Sequence, residues 1–111
     1  MTLIHRAGNI DMVAIAPMYS IGYHQSRNDL AAAQTLAPPA GSHPRYLMMQ
    51  AIVQGVRYTM TVAAAPSTPT ATFGFQLVAS SPQIIIPVDA GIVVRVIEEA
   101  ATAILQYQWF E

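Results

Sequence analysis

The chain has no cysteine and no lysine, and little charge of either sign. Without cysteine there are no disulfides and no thiolate metal sites, so stability must come from packing or from association. Only 10% of the residues are charged, against about 25% in an average globular domain. The net charge is -1, and no basic run or patch is visible, so the electrostatic footprint of a nucleic-acid binder is missing. No apolar run approaches the roughly 18–20 residues of a membrane span. Met1 to Arg6 is not followed by a continuous apolar stretch with a small-residue cleavage site, so a signal peptide is not expected. Nor is there a stripe of 3.6-residue periodicity to supply the helices of an α/β fold, or a repeat of solenoid type.

Apolar residues are abundant instead, at 53% of a chain of 111. That length makes one domain with a large surface to cover. Five arginines, six carboxylates and three histidines solvate little of it, so part of the apolar surface is expected to meet a partner. Arginine as the only strong base suits fixed, planar contacts of the kind found at interfaces.

Composition divides the chain near Gly41. Residues 1–44 read as an extended N-terminal arm, with Gly8, Gly22 and Gly41 and with Pro17, Pro38, Pro39 and Pro44. Its apolar residues form short clusters, Met12 to Ala16 and Tyr19 to Tyr23, which need a surface to lie against. A short helix near 28–36 is expected within it, with Asn28 as N-cap, Ala31 to Gln34 as helix formers and Pro38 as the stop.

Residues 45–111 read as a β-domain. Tyr46 to Gln54 is a continuous apolar run broken at Gly55. Val56 to Val62 then alternates, with Val56, Tyr58, Met60 and Val62 on one face and Arg57, Thr59 and Thr61 on the other. The junction at Gln54-Gly55 predicts a hairpin between the two. Pro66 and Pro69 make Ala63 to Ala71 a loop. Thr72 to Ala79 alternates again and aligns Phe73, Phe75, Leu77 and Ala79. Gly74 inside it signals a bulge or a close backbone approach. Gln83 to Val88 is a strand that Pro87 marks as an end or an edge. Ile92 to Ile97 is strongly β-branched, Glu98 to Thr102 is a polar turn, and Ala103 to Phe110 closes the chain with Leu105, Tyr107 and Trp109 aligned. About six short antiparallel strands at this spacing predict an all-β fold, a small sandwich or barrel.

Little in the sequence carries chemistry. His5, His24 and His43 lie far apart with no second ligand at metal spacing, so no metal site is assigned. Ser42 and His43 are neighbours in sequence only, and no third group marks a triad. Glu98 and Glu99 are adjacent, so on a strand they would point to opposite faces and could not flank a substrate. No glycine-rich phosphate loop is present. Catalytic, cofactor-binding and metal residues are therefore all assigned as none, and the chain is expected not to be an enzyme. Tyr107 and Trp109 could form a stacking platform for a sugar, but their shared face with Leu105 favours core packing. Arg57 and Arg95 are expected to pair with carboxylates on the same sheet or on a partner.

One resemblance is carried by residues 45–109. Arg45 precedes an apolar strand ending in Gln50-Ala51. Then come Val56-Arg57-Tyr58, Pro69-Thr70-Ala71-Thr72 with Gly74, an apolar strand and a glycine turn. Ile97 and Glu98 lead to the closing Ala103-Ile104-Leu105-Gln106-Tyr107. This order resembles the small β-sandwich virion structural proteins of tailed bacteriophages. The resemblance implies a capsid decoration or cement protein on the virion surface. It would be a homo-oligomer that contacts the major capsid protein and copies of itself, with no nucleic acid and no membrane as partner. A head-tail connector or tail component is the alternative within that class, and a carbohydrate-binding sandwich module is the alternative outside it. The arm over residues 1–44 departs from the shorter members and suggests a role in tying subunits together.

Overall fold

A computed structural model describes residues 4–7 and 10–13 as backbone and residues 18–111 with their side chains. Among these, the sequence forms ten strands and no helix: β1 (Ile4–Ala7), β2 (Ile10–Val13), β3 (Ser20–Arg27), β4 (Gln34–Leu36), β5 (Tyr46–Ile52), β6 (Val56–Val62), β7 (Phe75–Leu77), β8 (Ile84–Pro87), β9 (Ile92–Glu98) and β10 (Ile104–Phe110). Eight of them make two four-stranded antiparallel sheets, ordered β3-β10-β5-β8 and β4-β9-β6-β7, and β1 and β2 pair with each other as a separate hairpin. The all-β expectation is borne out, and the two-sheet arrangement is a sandwich.

Alternation explains why the sheets face each other. In β5, Leu47, Met49 and Ala51 are buried, and in β10 Leu105, Tyr107 and Trp109 are. Val56 of β6 and Val94 and Val96 of β9 meet them from the second sheet, and Leu30, Leu36 and Leu77 complete the core. Residues two apart on a strand share a face, so each strand contributes one side to this layer.

Three expectations are corrected. First, β5 and β6 do not form a hairpin. β5 pairs with β10 and β8, whereas β6 pairs with β9 and β7. A hairpin would have laid both apolar faces side by side in one sheet. Instead the chain arches from one sheet to the other at Val53, whose φ of 73° is left-handed. That is a costly conformation for a β-branched residue, of order 1–3 kcal/mol. Burying β5 and β6 against each other offsets it.

Second, the helix near 28–36 is absent. Leu30 sits in a turn, is fully buried, and accepts the Glu98 amide on its carbonyl. The Arg27 guanidinium forks onto Asp29 at 3.0 and 2.8 Å, and Gln34 Nε2 donates to the Asp29 carbonyl. Burial and this side-chain network override a modest helix propensity, and Gln34–Leu36 becomes β4.

Third, the sandwich begins at Ser20 and not at 45. β3 is the edge of one sheet and β4 of the other, so the second half of the expected arm is part of the fold. In the first half, the apolar cluster Met12 to Ala16 and His5 lie outside the residues whose side chains are described.

Gly74 is the close approach anticipated for it. Its φ is 124°, and a Cβ there would stand 2.9 Å from the Tyr58 carbonyl oxygen. Pro87 ends β8, an edge strand, where its missing N–H costs no ladder bond.

The buried Trp109 carries an indole N–H without a partner. An unmet buried donor costs about 1–3 kcal/mol. Trp109→Phe removes that cost together with some packing, so it should lose less than about 2 kcal/mol, whereas Leu105→Ala, in a fully buried position, should lose about 2–5 kcal/mol. Urea unfolding midpoints of the two variants check the contrast.

Candidate functional site

The polar groups that could carry chemistry are spent on structure. Ser42 Oγ donates to the Pro39 carbonyl at 2.6 Å. His43 is exposed in the loop after β4, while His24 lies on β3 with Nε2 3.4 Å from Gln106 Oε1. Glu98 closes β9, and its carboxylate accepts the Ala103 amide. Among the described residues, no three of His, Asp and Glu come together as metal ligands. Tyr107 and Trp109 are core residues at 7% and 4% exposure, so the stacking platform considered for them is not on the surface.

Arg57 finds its carboxylate on the same sheet. Its Nε donates to Glu99 Oε2 at 2.8 Å and its Nη1 to the Gly74 carbonyl at 3.0 Å. Gln76 Nε2 donates to both Glu99 oxygens. Gly55 makes room for this cluster, because a Cβ there would collide with Glu99 Oε1. Arg95, by contrast, meets a hydroxyl, Thr68 Oγ1, at 2.7 Å.

The two outer faces of the sandwich differ. On the β6-β9 face, Arg57, Thr59 and Thr61 of β6 lie beside Arg95 of β9. The loop after β6 folds back over this face. Thr59 Oγ1 donates to the Ser67 carbonyl, the Ser67 amide donates to Thr61 Oγ1, and Pro69 is fully buried. Val93 and Ile97 of β9 share this face, opposite Thr61 and Arg57, so it mixes polar and apolar residues, and the loop covers part of it.

On the β5-β10 face, β5 turns Tyr46, Met48, Gln50 and Ile52 away from the core, and β10 turns Ile104, Gln106, Gln108 and Phe110, opposite them in register. Gln108 is itself buried, its Nε2 donating to the Ile21 and Trp109 carbonyls, and Gln50 Nε2 donates to the Ser81 carbonyl. β8 adds Ile85, 48% exposed, and β3 adds Ser20 and Ser26. None of these residues is an acid, a lysine or an arginine. Among the described residues, no further strand is hydrogen-bonded to this sheet.

A second uncharged surface lies at the open edge of β6. β7 pairs only with Val56, Arg57 and Tyr58. Past its end, an open groove of about 320 Å³ runs along Thr59, Met60 and Thr61. Ser67 lines it, as do Phe73 and Phe75, which are 57% and 66% exposed. Tyr58 and Phe75 pack as a tilted aromatic pair, 5.6 Å between centroids.

The sequence pattern aligns Phe73, Phe75, Leu77 and Ala79 on one face, and of these only Leu77 is buried. A continuous apolar run, as in Tyr46 to Gln54, means a strand that seeks cover on both faces. Here the chain covers one.

Comparison with protein-family models, with curated proteins and with solved structures finds no match.

The Arg57-Glu99-Gln76 cluster sets a pH dependence. The Gln76 amide, then Arg57, holds the Glu99 carboxyl below its ordinary value. A depressed carboxyl contributes stability that is present above the ordinary glutamate range and lost as pH falls through the folded-state value. Between about pH 5 and pH 3 the wild type should therefore lose more stability than Glu99→Gln. Thermal melts of the two forms across that window check it.

Proposed function

We propose that this chain is a structural assembly protein without catalytic chemistry of its own, a decoration or cement component on the surface of a phage capsid. It self-associates and binds the major capsid protein. The observation that carries this reading is the uncharged outer face of the β5-β10 sheet. A solvated sheet face alternates polar residues outward. This one presents Met48, Ile52, Ile104 and Phe110 outward, with glutamines between them.

Of the glutamines, Gln50 and Gln108 use their amide N–H groups within the chain, and Gln106 stands beside His24. A neutral amide carries no charge to desolvate at a contact. The order of residues from Arg45 to Trp109 resembles phage virion sandwiches and supports the same reading. A protein of this kind works by mass action, since a ligand that binds only the assembled shell raises the shell's stability.

The size of the face adds a constraint. Four strands about 4.8 Å apart, of eight, seven, seven and four residues at about 3.3 Å each, give a projected face of roughly 400 Å². A stable specific interface buries about 800 Å² of accessible surface per partner, so a second contact would strengthen one made by this face.

Light scattering coupled to size exclusion tests the reading. The purified full chain should run as a discrete closed oligomer. Met48→Glu puts a charge at the centre of the face, and it should weaken association on the order of tenfold or more while the circular dichroism stays unchanged. A well-behaved monomer at every concentration would remove self-association from the proposal.

A further inference from the structure

The open edge of β6 can be read group by group. The Ala63 amide donates to the Gly91 carbonyl, continuing the register that pairs Thr61 with Val93 and Val62 with Ile92. In an antiparallel ladder the amide and carbonyl of one residue point to the same side, and the side alternates along the strand. Odd-numbered residues of β6 therefore bond β9, and even-numbered residues face away from it. Val56 and Tyr58 meet Leu77 and Phe75 of β7 there. Met60 meets no strand: its N–H and C=O point into the groove, with the Val62 N–H beside them. The Val62 carbonyl is already taken by the Ala65 amide, which closes the far end.

The groove thus exposes sheet edge along Thr59, Met60 and Thr61, walled by Phe73, Phe75 and the Ser67 loop, with the Val62 N–H at its end. A second sandwich cannot enter with its own β6, because β7 occupies the same edge up to Tyr58 and would meet the incoming strand. The occupant has to be a thin ribbon.

The chain carries one. β1 and β2 are four residues each, long enough to cover the open stretch, and pair with each other. Among the described residues, no strand pairs with either outer edge of that hairpin. A two-stranded hairpin is marginal in water and gains independent stability from a third strand. Edge addition of this kind draws affinity from main-chain bonds and selectivity from flanking pockets.

We propose that the groove beside Met60 receives the β1–β2 hairpin of a second copy, added edge-on to β6 as a further strand of its sheet. This deepens the self-association proposed above and rests on it. Each copy gives a hairpin and receives one, so the contacts either close into a ring or continue around a shell. This contact supplies area beyond the β5-β10 face.

The experiment follows the Met60 amide by hydrogen exchange in the full-length chain over a concentration series, alongside light scattering. The same pair of measurements is made on the Phe73→Glu/Phe75→Glu variant, whose substituted side chains are both more than half exposed. The expected result is Met60 protection that rises with oligomer formation. In the variant, association should weaken on the order of a hundredfold, because two carboxylates would be buried unpaired. An oligomer whose Met60 amide exchanges freely would overturn the groove assignment and leave the self-association standing. A monomer with Met60 protected at every dilution would mean that the chain's own hairpin fills the groove, which overturns the exchange between copies. A monomer with Met60 unprotected would overturn both. The wild-type exchange decides among these even if the variant fails to fold.

Discussion

Strand β10 is the element on which the sandwich depends. It is hydrogen-bonded along both edges, to β3 on one side and to β5 on the other. It also delivers Leu105, Tyr107 and Trp109 to the core. Its last residues tie the two ends of the sandwich together, since the Tyr19 and Glu111 backbones exchange hydrogen bonds at 3.0 and 2.8 Å. The first sheet therefore cannot close until the end of the chain is in place. Such pairings, distant in sequence, cost loop-closure entropy before they return any contact energy. Meanwhile β5 waits with apolar side chains on both faces, so β10 is also what shields it from unwanted pairing.

The same strand explains why the two outer faces diverge. β10 and β5 run side by side in the middle of their sheet, and their outward residues are opposite one another: Gln106 faces Gln50, and Gln108 faces Met48. The other sheet has Arg57, Arg95 and several threonines in the equivalent places and a proline-bearing loop lying on them. One face has a loop hydrogen-bonded onto it. The other uses the amides of Gln50 and Gln108 within the chain and leaves Met48, Ile52, Ile104 and Phe110 only part-buried. An apolar strand costs little on a face that is to be covered and much on one left in water, so the asymmetry is itself the argument for a partner.

How much of this was legible in the sequence depended on period and on length. β6 was delimited to the residue, because Val56 to Val62 alternates without interruption. The inward set of β10 was read correctly for the same reason, and Gly74 and Pro87 kept the backbone roles their chemistry assigns. What failed were inferences from local signals that tertiary contacts overrule. Gln54-Gly55 has turn chemistry, but a turn does not say whether the chain returns into the same sheet or crosses to the opposite one. Asn28 to Leu36 has a helical composition, but Leu30 is worth more in the core than a helical turn is worth in isolation. The proline- and glycine-rich segment up to Pro44 looked like an arm because edge strands are short and irregular. β3 carries a bulge around Gly22, and β4 has only three residues. Alternation also cannot tell how far along a sheet the opposite layer extends, so aligning Phe73 and Phe75 with Leu77 does not say which of them are buried.

On the proposed reading the two surfaces serve one function, the β5-β10 face making a contact that a second one reinforces. The β6 edge is a slot that admits a ribbon and excludes a second sandwich. A flat contact of this size has a fast off-rate, and a strand in a slot has little area but fixed register. Joined in one molecule, the second contact forms at the high effective concentration set by the first, and the combined affinity exceeds either alone. That arrangement suits a protein whose task is to stay on a large repeating surface, because each copy is then held by several weak contacts made to several neighbours. It also accounts for the scarcity of charge. Every ion pair at such a contact would have to be desolvated, whereas backbone amides and glutamines cost less to desolvate and aromatic rings gain from burial.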